Sequence, residues 1–475
     1  MNLGKKDCNM ELILYKKDGG EILNLKKKIK GMTDEEKRQF VKRTVSVGMV
    51  SVIVGLIYNL KIWGIVICFL FTMSVVPFYY RINLKKIHYK KKFESVILYI
   101  EQMLYSFKKR PKIREALIDA TKTCDSIVKE IIEEIIVNID SKMADRIYEE
   151  SLKIIEEEYP CKRLSSMHNF MKKIESQGGE CGFYIDVLMQ DVKAWNDRTN
   201  LFMGEVDRIK RNVLISIGAT LITCAVMTHI VPADYTYSDN VVYQISTIVM
   251  LMIMEVIYLV VASKLNYDWI NEENSMTPER IDRYYSIVLE EKHDAMDYGI
   301  PSHLNWVKRS NYKTAKKKIE KEVRKQFPEW LRDVAINLQT ETVQSAIENS
   351  FNEAPYVMKE PIRRMMLDFE DYPIGIEPYD RFLMYFDVPE MKSSMKMLYS
   401  ISELGKEEAD VQIGSVIDRN ILLENQAEAI KNKDKIGAFS FLSAVPMIVG
   451  VNKIMIDMVL MIIVFTSAIG NVLSQ

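Results

Sequence analysis

Cysteine and histidine are scarce in this chain, and neither is arranged for metal or redox chemistry. The 475 residues hold six cysteines, at positions 8, 68, 124, 161, 181 and 224, and no two of them form a CxxC pair. The five histidines have no metal-ligand spacing. The sequence therefore predicts no zinc site, no thioredoxin-like redox motif and no disulfide framework.

The motifs of common enzymes are missing as well. There is no GxxxxGK[ST] phosphate loop, no HExxH and no GxSxG, and the Gly178-Gly179 pair resembles a loop more than a phosphate cradle. A formal net charge of −1 gives no reason to expect a nucleic-acid partner. We therefore expect a protein that is not an enzyme, with no cofactor and no metal.

What the chain does contain is three long apolar tracts, each about twice the length that a membrane helix needs. The first, 45–80, breaks at Asn59-Leu60-Lys61, and the second, 213–262, breaks across 232–240. The third, 436–473, breaks near Asn452-Lys453. This pattern predicts three transmembrane helical hairpins, hence six spans.

Basic residues flank the tracts and are scarce at their breaks. Lysines and arginines crowd residues 26–43 and 81–92, whereas the 232–240 segment has none and carries Asp234 and Asp239. Under the positive-inside rule, both termini and both large polar segments are expected in the cytoplasm, with the chain in the cell (plasma) membrane. The late start of the first tract argues against a secretory signal peptide, and Thr33 to Glu36 resembles a capping box that starts a helix.

The polar segments between the tracts have apolar residues at helical spacing. The predicted fold is therefore an all-α membrane protein in which three hairpins alternate with two cytoplasmic helical-bundle domains. The predicted divisions are an N-terminal cytoplasmic segment (1–44), hairpin 1 (45–80), domain 1 (82–212), hairpin 2 (213–262), a linker with lead-in helices (265–326), domain 2 (327–435) and hairpin 3 (436–473). Thr277-Pro278-Glu279 is a helix start within the linker, and the charged stretch 313–325 is expected to be a solvated helix.

The two domains have the marks of an internal duplication. An apolar stripe from Phe93 to Phe107 is repeated from Phe327 to Leu338, and each stripe is followed by a break and a short helix start. The match of Leu164-Ser165-Ser166-Met167 with Lys392-Ser393-Ser394-Met395, at an offset of 228, supports the same interpretation, as do the breaks at Gly178-Gly179 and Gly405.

Two groups of residues are candidates for function. Glu255 and Asp457 are ionisable residues inside predicted spans, where a charge is costly and prompts a functional hypothesis, here conformational coupling. For Asp457, pairing with Lys453 four residues earlier is the plainer explanation, and for Glu255 a helix-packing hydrogen bond is an equal alternative. A basic cluster beside Pro111 is either a solvated loop or a docking patch for an acidic partner or anionic lipid; its members are Lys108, Lys109, Arg110, Lys112 and Arg114.

The chain resembles the type II secretion system F family, the platform proteins of type IV pilus, type II secretion and Tad/Flp pilus machines. The resemblance is carried by the segment from Tyr99-Ile100-Glu101-Gln102-Met103-Leu104 through Ile113-Arg114-Glu115-Ala116-Leu117, and by the later segment from Leu331 to Ile347. The order of hairpins and domains is similar to two Tad-type platform proteins fused in tandem. The chain departs from the family pattern at 108–110 and 341–342, where a Gly is usual.

The resemblance implies a platform that couples a cytoplasmic hexameric secretion ATPase to pilin or pseudopilin subunits in the bilayer, together with other platform subunits or further copies of itself. Two alternatives stay open. One is the membrane subunit of a transporter that works with a separate nucleotide-binding subunit, and the other is a membrane scaffold without a motor.

Overall fold

The computed structural model describes residues 34–141, 147–178, 182–230, 236–270, 276–294, 302–338, 341–403 and 406–473. Every regular element in these ranges is helical, as predicted, and four helices are long and apolar enough to cross a membrane, as a membrane protein requires. Thr33, Gly179, Gly405 and residues 231–235 of the second break lie outside the described ranges. In chain order the α-helices are α1 Asp34–Ile57, α2 Ile62–Lys109, α3 Ile113–Ala120, α4 Ser126–Ser141, α5 Ile147–Glu158, α6 Lys162–Gln177, α7 Gly182–Ile230, α8 Val241–Lys264, α9 Pro278–Asp294, α10 Ser302–Asn337, α11 Val343–Ser350, α12 Tyr356–Asp371, α13 Glu377–Arg381, α14 Pro389–Glu403, α15 Lys406–Ser440 and α16 Val445–Leu473.

The chain divides into two compact units. The membrane unit takes its residues from the chain up to Ile87, from Val206–Asn266 and from Phe439 onward, and the repeat unit takes His88–Glu205 and Tyr267–Ala438. Both predicted helical domains contribute to the repeat unit, and so do α9 and α10 from the predicted linker. The helices α2 and α7 contribute to both units without a break.

In the membrane unit, the first two predicted breaks fall where helices end. The helix α1 stops at Ile57 and α2 starts at Ile62, while α7 stops at Ile230 and α8 starts at Val241. Helices α1 and α2 pack closely and antiparallel: a Cβ on Gly48 would lie 2.8 Å from the Met73 side chain, and one on Gly55 would lie 3.0 Å from Ile65. The apolar part of α1, Thr44–Ile57, is shorter than the four spanning helices.

The third predicted hairpin is wrong. Asn452 and Lys453 lie inside α16, which continues without interruption from Val445 to Leu473, and the residues before it form the end of α15 and a short 3₁₀ turn, Phe441–Ser443. A lysine in an apolar tract normally indicates a loop, but Lys453 is buried and pairs with Asp457 one turn further along the same helix. The described chain therefore has four long membrane-type helices and one shorter one in place of six spans.

The repeat unit is built from two copies of one helical motif. The helices α3 and α11 have eight residues each, α4 and α12 have sixteen each, and each member of the second pair begins 230 residues after its counterpart. The packing is also repeated, since α3 contacts α4 and α6 while α11 contacts α12 and α14. Equal lengths, offsets and packing partners support the predicted duplication.

The buried positions give the register of this duplication. In α3 the buried residues follow a helical spacing of i, i+3, i+4 and i+7, and the same spacing recurs in α11. Leu164, Met167 and Met171 of α6 correspond to Met391, Ser394 and Leu398 of α14, each 227 residues later. The Ser-Ser-Met match at an offset of 228 is therefore one residue out of register.

The large side chains at the centre of each motif are equivalent but bonded differently. Tyr99 in α2 shares a hydrogen bond of 3.0 Å with the buried His168, whose other ring nitrogen lies 2.7 Å from Glu156. Trp330 in α10, 231 residues after Tyr99, donates to Ser350 Oγ at 2.8 Å. Burial lowers the pKa of His168, so the imidazole is a neutral hydrogen-bonding link in the core.

The charged stretch 313–325 is helical, as predicted, yet it is only partly solvated. Ala315, Ile319, Glu322 and Val323 are buried, and α10 packs against α9 along this face. The helix α9 begins at Pro278, as the Thr-Pro-Glu motif predicts. The many lysines conceal an apolar stripe at helical spacing.

A single crossing by α16 can be tested by labelling. Ala444→Cys and Ser467→Cys lie 23 positions apart, or about 35 Å along a helix, which exceeds a hydrocarbon core of about 30 Å. We expect a membrane-impermeant maleimide added to intact cells to label only one of the two cysteines, and the other to be labelled only after the cells are opened. Labelling of both cysteines from the same side would restore the hairpin, and the native chain reports the background.

Candidate functional site

The basic cluster beside Pro111 is paired with carboxylates from neighbouring helices. Lys108 bonds Asp186, Arg110 lies 3.2 Å from Glu115, and Lys112 lies 3.5 Å from Glu175. Arg114 forms a two-pronged contact with Asp140 at 2.7 and 2.9 Å, which holds the pKa of that carboxyl below its usual value. Lys109 lies over the ring of Tyr105, 4.3 Å from its centroid. The basic side chains are half-exposed or exposed, and such pairs contribute about 0–1 kcal/mol each, so a partner could displace them cheaply.

Glu255 lies on α8 and reaches the hydroxyl groups of two other membrane helices. Thr72 Oγ1 of α2 donates to Glu255 Oε1 at 2.6 Å and lies 3.2 Å from Ser51 Oγ of α1. The second carboxyl oxygen, Oε2, is buried and has no hydrogen-bond partner in the described part of the chain. Both interpretations of Glu255 remain: a hydrogen bond that packs three helices, and a group poised to respond to a change in its surroundings.

Asp457 and Lys453 form a buried ion pair one helical turn apart on α16. Their exposures are 3% and 2%, and the Lys453 ammonium also lies 4.0 Å from the centroid of the Tyr243 ring on α8. The Asp457 Oδ2 atom is buried without a hydrogen-bond partner among the described residues. The pairing expected for Asp457 is present, but it is buried inside the helix bundle instead of reaching the membrane surface.

Close helix contact surrounds this pair. A Cβ added to Gly450 would lie 2.2 Å from Thr220 Cγ2 on α7, so only glycine allows α16 to approach that helix. The Cys224 thiol lies 3.8 Å from the Gly450 carbonyl oxygen. The helix α16 is thus seated by one small residue and one ion pair.

Polar side chains of α8 hold the turn between α1 and α2. The Lys61 backbone N–H donates to Gln244 Oε1 at 2.9 Å, and Gln244 Nε2 donates to the Asn59 carbonyl at 3.1 Å. Asn59 adopts a left-handed φ of 50°, and Tyr243 OH donates to the Tyr58 carbonyl at 2.9 Å. In hydrocarbon the groups of a turn need protein partners, and Gln244 and Tyr243 supply them.

The largest polar feature of the repeat unit was not predicted. We name it the inter-repeat cluster: Arg163, Asp191, Arg198, Arg332 and Glu424, from α6, α7, α10 and α15. The Glu424 carboxylate lies 2.9 Å from Arg163, 3.1 Å from Arg198 and 3.2 Å from Arg332. Arg163 also reaches Asp191 at 3.1 Å. All five residues are buried or nearly so, which is why the paired charges matter here more than on the surface.

Charges at this interface are divided between the repeats. The first repeat (described residues of 88–205) supplies cations and the second repeat (those of 302–438) supplies carboxylates: Lys173 lies 2.6 Å from Glu341, Arg198 lies 2.8 Å from Glu428, and Lys162 bonds Glu329. Ser166 donates to Asp333 at 3.1 Å. The longer contact of Arg332 with Asp191, 3.9 Å, runs the other way. The joint between the repeats is therefore polar and directional.

Two carboxyl groups at the joint have raised pKa values. Burial raises the pKa of Asp333 to about 6, with the Glu329 carboxylate acting in the same direction. Burial and the neighbouring Asp191 carboxylate raise the pKa of Glu424 to about 7, although three guanidinium groups surround it. Both groups therefore change protonation between mildly acidic and neutral pH.

A cavity of about 60 Å³ adjoins the cluster between Trp195, Pro328 and Arg332. Its volume suits a few water molecules and is far below the 300–1,000 Å³ of a typical ligand pocket. No group of three or more His, Cys, Asp or Glu side chains suited to a metal ion occurs in the described residues. The notable chemistry of these ranges is electrostatic: charged groups joined across helices.

The sequence held a weak signal for these residues. Arg332 and Asp191 each lie at a core position of an apolar stripe, Arg332 beside Leu331 and Val334, and Asp191 between Leu188 and Val192. Gln244 likewise interrupts an apolar tract. A polar residue at a buried helical position predicts a partner, but not which residue supplies it.

Comparison of the chain with protein families, with curated proteins and with solved structures finds no match.

Removal of one member of the membrane ion pair tests its role. We expect Lys453→Met to destabilise the chain by about 3–5 kcal/mol, because it leaves Asp457 buried without a counter-charge. The double variant Lys453→Met/Asp457→Leu should recover most of that loss. Thermal unfolding of the purified chain in detergent measures both, and equal losses in the single and double variants would contradict the pairing.

The inter-repeat carboxyls predict a pH dependence of stability. A carboxyl whose folded pKa is raised stabilises the fold at low pH, and this contribution is lost as pH rises through the folded pKa. We expect the native chain to lose stability between pH 5 and pH 8, and Asp333→Asn/Glu424→Gln to lose less over the same range. Melting temperatures at both pH values provide the measurement, with Glu428→Gln on the same helix as the control; parallel curves would contradict the assignment.

Proposed function

We propose that this chain is a platform protein of a type IV or Tad-type pilus, or of a type II-like secretion machine, in the cell membrane. In this role it couples a cytoplasmic hexameric secretion ATPase to the movement of pilin or pseudopilin subunits. The proposal rests on the resemblance of both repeats to the type II secretion system F family, and on the duplicated motif beside membrane helices.

The observation that carries the proposal is the continuity of α2 and α7. These helices have 48 and 49 residues, and each contributes to both the membrane unit and the repeat unit. A helix of this length is about 72 Å long and its hydrogen bonds run through the boundary between the units. A load applied to the repeat unit would therefore reach the membrane helices without crossing a loop.

The inter-repeat cluster supports a mechanism in which the motor selects between arrangements of the repeats. A motor can shift such an equilibrium only if its states bind the arrangements differently. Charge pairs with 3 Å spacing have more than one carboxylate within reach: Arg198 contacts both Glu424 and Glu428, and Arg332 lies near both Glu424 and Asp191. The exchange of partners would let the joint move while its charges stay neutralised.

The basic flanks of the membrane helices support a cytoplasmic repeat unit, where the motor would act. With α16 as a single crossing and the shorter α1 also crossing, the Leu473 end of α16 would face the other side of the membrane. On this proposal only the first part of the earlier expectation is kept: the repeats are cytoplasmic, and the two ends of the described chain face opposite sides.

Partner recovery tests the function. A tagged chain is crosslinked mildly in native membranes, recovered, and its partners are identified by mass spectrometry. We expect a hexameric secretion ATPase and a pilin-like subunit. Recovery of a transporter-type nucleotide-binding subunit would favour the transporter alternative, and recovery of no motor would favour the scaffold.

The basic cluster can be tested in the same experiment. Lys109→Glu/Arg110→Glu reverses two exposed charges, each worth about 1 kcal/mol against a partner charge in water at ~4 Å. We therefore expect ATPase recovery to fall by about tenfold or more, mainly through slower association. Lys122→Glu, an exposed lysine of the same repeat outside the cluster, should leave recovery unchanged. Equal recovery from both variants would identify the cluster as a solvated loop.

A further inference from the structure

The outward faces of α4 and α12 are equivalent positions of the two repeats. Both helices have sixteen residues, and their inward faces bury matching positions 230 residues apart, such as Ile132 with Ile362 and Ile135 with Met365. The opposite face of each helix is exposed or half-exposed at matching positions. We name the residues at 130, 133, 134, 137 and 140 the first stripe, and those at 360, 363, 364, 367 and 370 the second stripe.

Each stripe exposes a branched apolar residue at the same position. Val137 is 65% exposed on the first stripe, and Leu367, its equivalent, is 49% exposed on the second. One exposed apolar side chain is ordinary on a protein surface. Its presence at the equivalent position of both repeats, on otherwise charged faces, indicates a contact that both faces make.

The charges beside these apolar residues have opposite signs. The first stripe carries Glu133 and Glu134 one turn before Val137, and the second carries Arg363 and Arg364 one turn before Leu367. The side chains of Glu133 and Arg363 are 58% and 57% exposed. The stripes are thus alike in shape and complementary in charge.

The charges on both stripes are available for exchange. Arg363 lies 2.7 Å from Glu360 in its own helix, and Glu133 lies 3.9 Å from Lys129. Exposed pairs of this kind contribute a few tenths of a kcal/mol, so an incoming partner can replace them. Asp140, at the end of the first stripe, is already bonded by Arg114, which limits repulsion with the acidic Glu370 at the end of the second.

We propose that the first stripe of one copy binds the second stripe of another copy, with Val137 against Leu367 and Glu133 against Arg363. A second copy is the partner that fits, because it presents a helix of the same length with the apolar residue in the same register and the charges reversed. This inference does not depend on the proposed function.

The contact is heterologous: each copy uses a different face for each neighbour. Repetition of such a contact gives a closed ring if the rotation between copies closes, and an open array if it does not. Either product contains more than two copies, which distinguishes it from a symmetric dimer.

Disulfide trapping in native membranes tests the pairing. Full-length chains with different tags, one carrying Val137→Cys and the other Leu367→Cys, are co-expressed and oxidised. We expect a mixed dimer of the two tags, little product from either variant alone, and a ladder of higher species from the chain with both substitutions. Leu422→Cys, at 46% exposure on α15, is the matched control and should not trap Val137→Cys.

Charge exchange tests the chemistry of the contact. Glu133→Arg on the Val137→Cys chain, or Arg363→Glu on the Leu367→Cys chain, should reduce the mixed dimer at least fivefold. The two reversals together should restore it, because the opposite charges again face each other. A structural defect from either reversal would not be rescued in this way.

Three results would overturn the inference. Strong homodimers of the Val137→Cys chain alone would indicate a symmetric contact, and failure of the double reversal to restore trapping would show that Glu133 and Arg363 do not meet. Trapping by Leu422→Cys as efficient as by Leu367→Cys would reduce the signal to random collision.

Discussion

The arrangement of the repeat unit depends on the buried carboxylate of Glu424 and the three guanidinium groups that surround it. Each repeat buries its own apolar stripe, so the repeats do not need a shared hydrophobic core to fold. Their mutual position is set instead by charges that must stay paired, because an unpaired ion in this interior would cost several kcal/mol. Such a joint resists separation but tolerates a change of partners. This combination suits a protein that must stay assembled while it transmits movement.

The membrane unit follows the same rule in a more restrictive solvent. Tyr243 is the residue that its polar contacts have in common: its hydroxyl donates to the Tyr58 carbonyl and lies 3.3 Å from Thr228 Oγ1, and its ring faces the Lys453 ammonium. Tyr243 thereby links the turn of the first helix pair, the end of α7, and α16. The rest of these helices present mainly apolar side chains, as lipid requires.

Local pattern was enough to predict the helices, the first two breaks and the duplication. Apolar spacing and turn residues act over a few positions, and they predicted the break at 59–61 and the start of α9 at Pro278. The third hairpin was predicted wrongly because Asn452 and Lys453 resemble a loop until their buried surroundings are known. The inter-repeat cluster could not be predicted, since Arg163 and Glu424 are 261 positions apart and their meeting depends on how two repeats pack. The stripes of α4 and α12 needed the exact register of the duplication, which the three-residue match placed one residue out.

The uninterrupted helices α2 and α7 have a consequence for how such chains can vary. In an α-helix each residue turns the following side chains by about 100°, so the face that α2 offers to the membrane unit and the Phe93–Phe107 stripe are held in a fixed angular phase. One inserted residue between them would swing the stripe by more than a quarter turn, whereas an insertion of seven residues would nearly restore it. Length changes near the unit boundary are therefore constrained by rotation, and not by reach. The two repeats can diverge freely in their loops, as the short α13 shows against α5, but the shafts that carry them cannot.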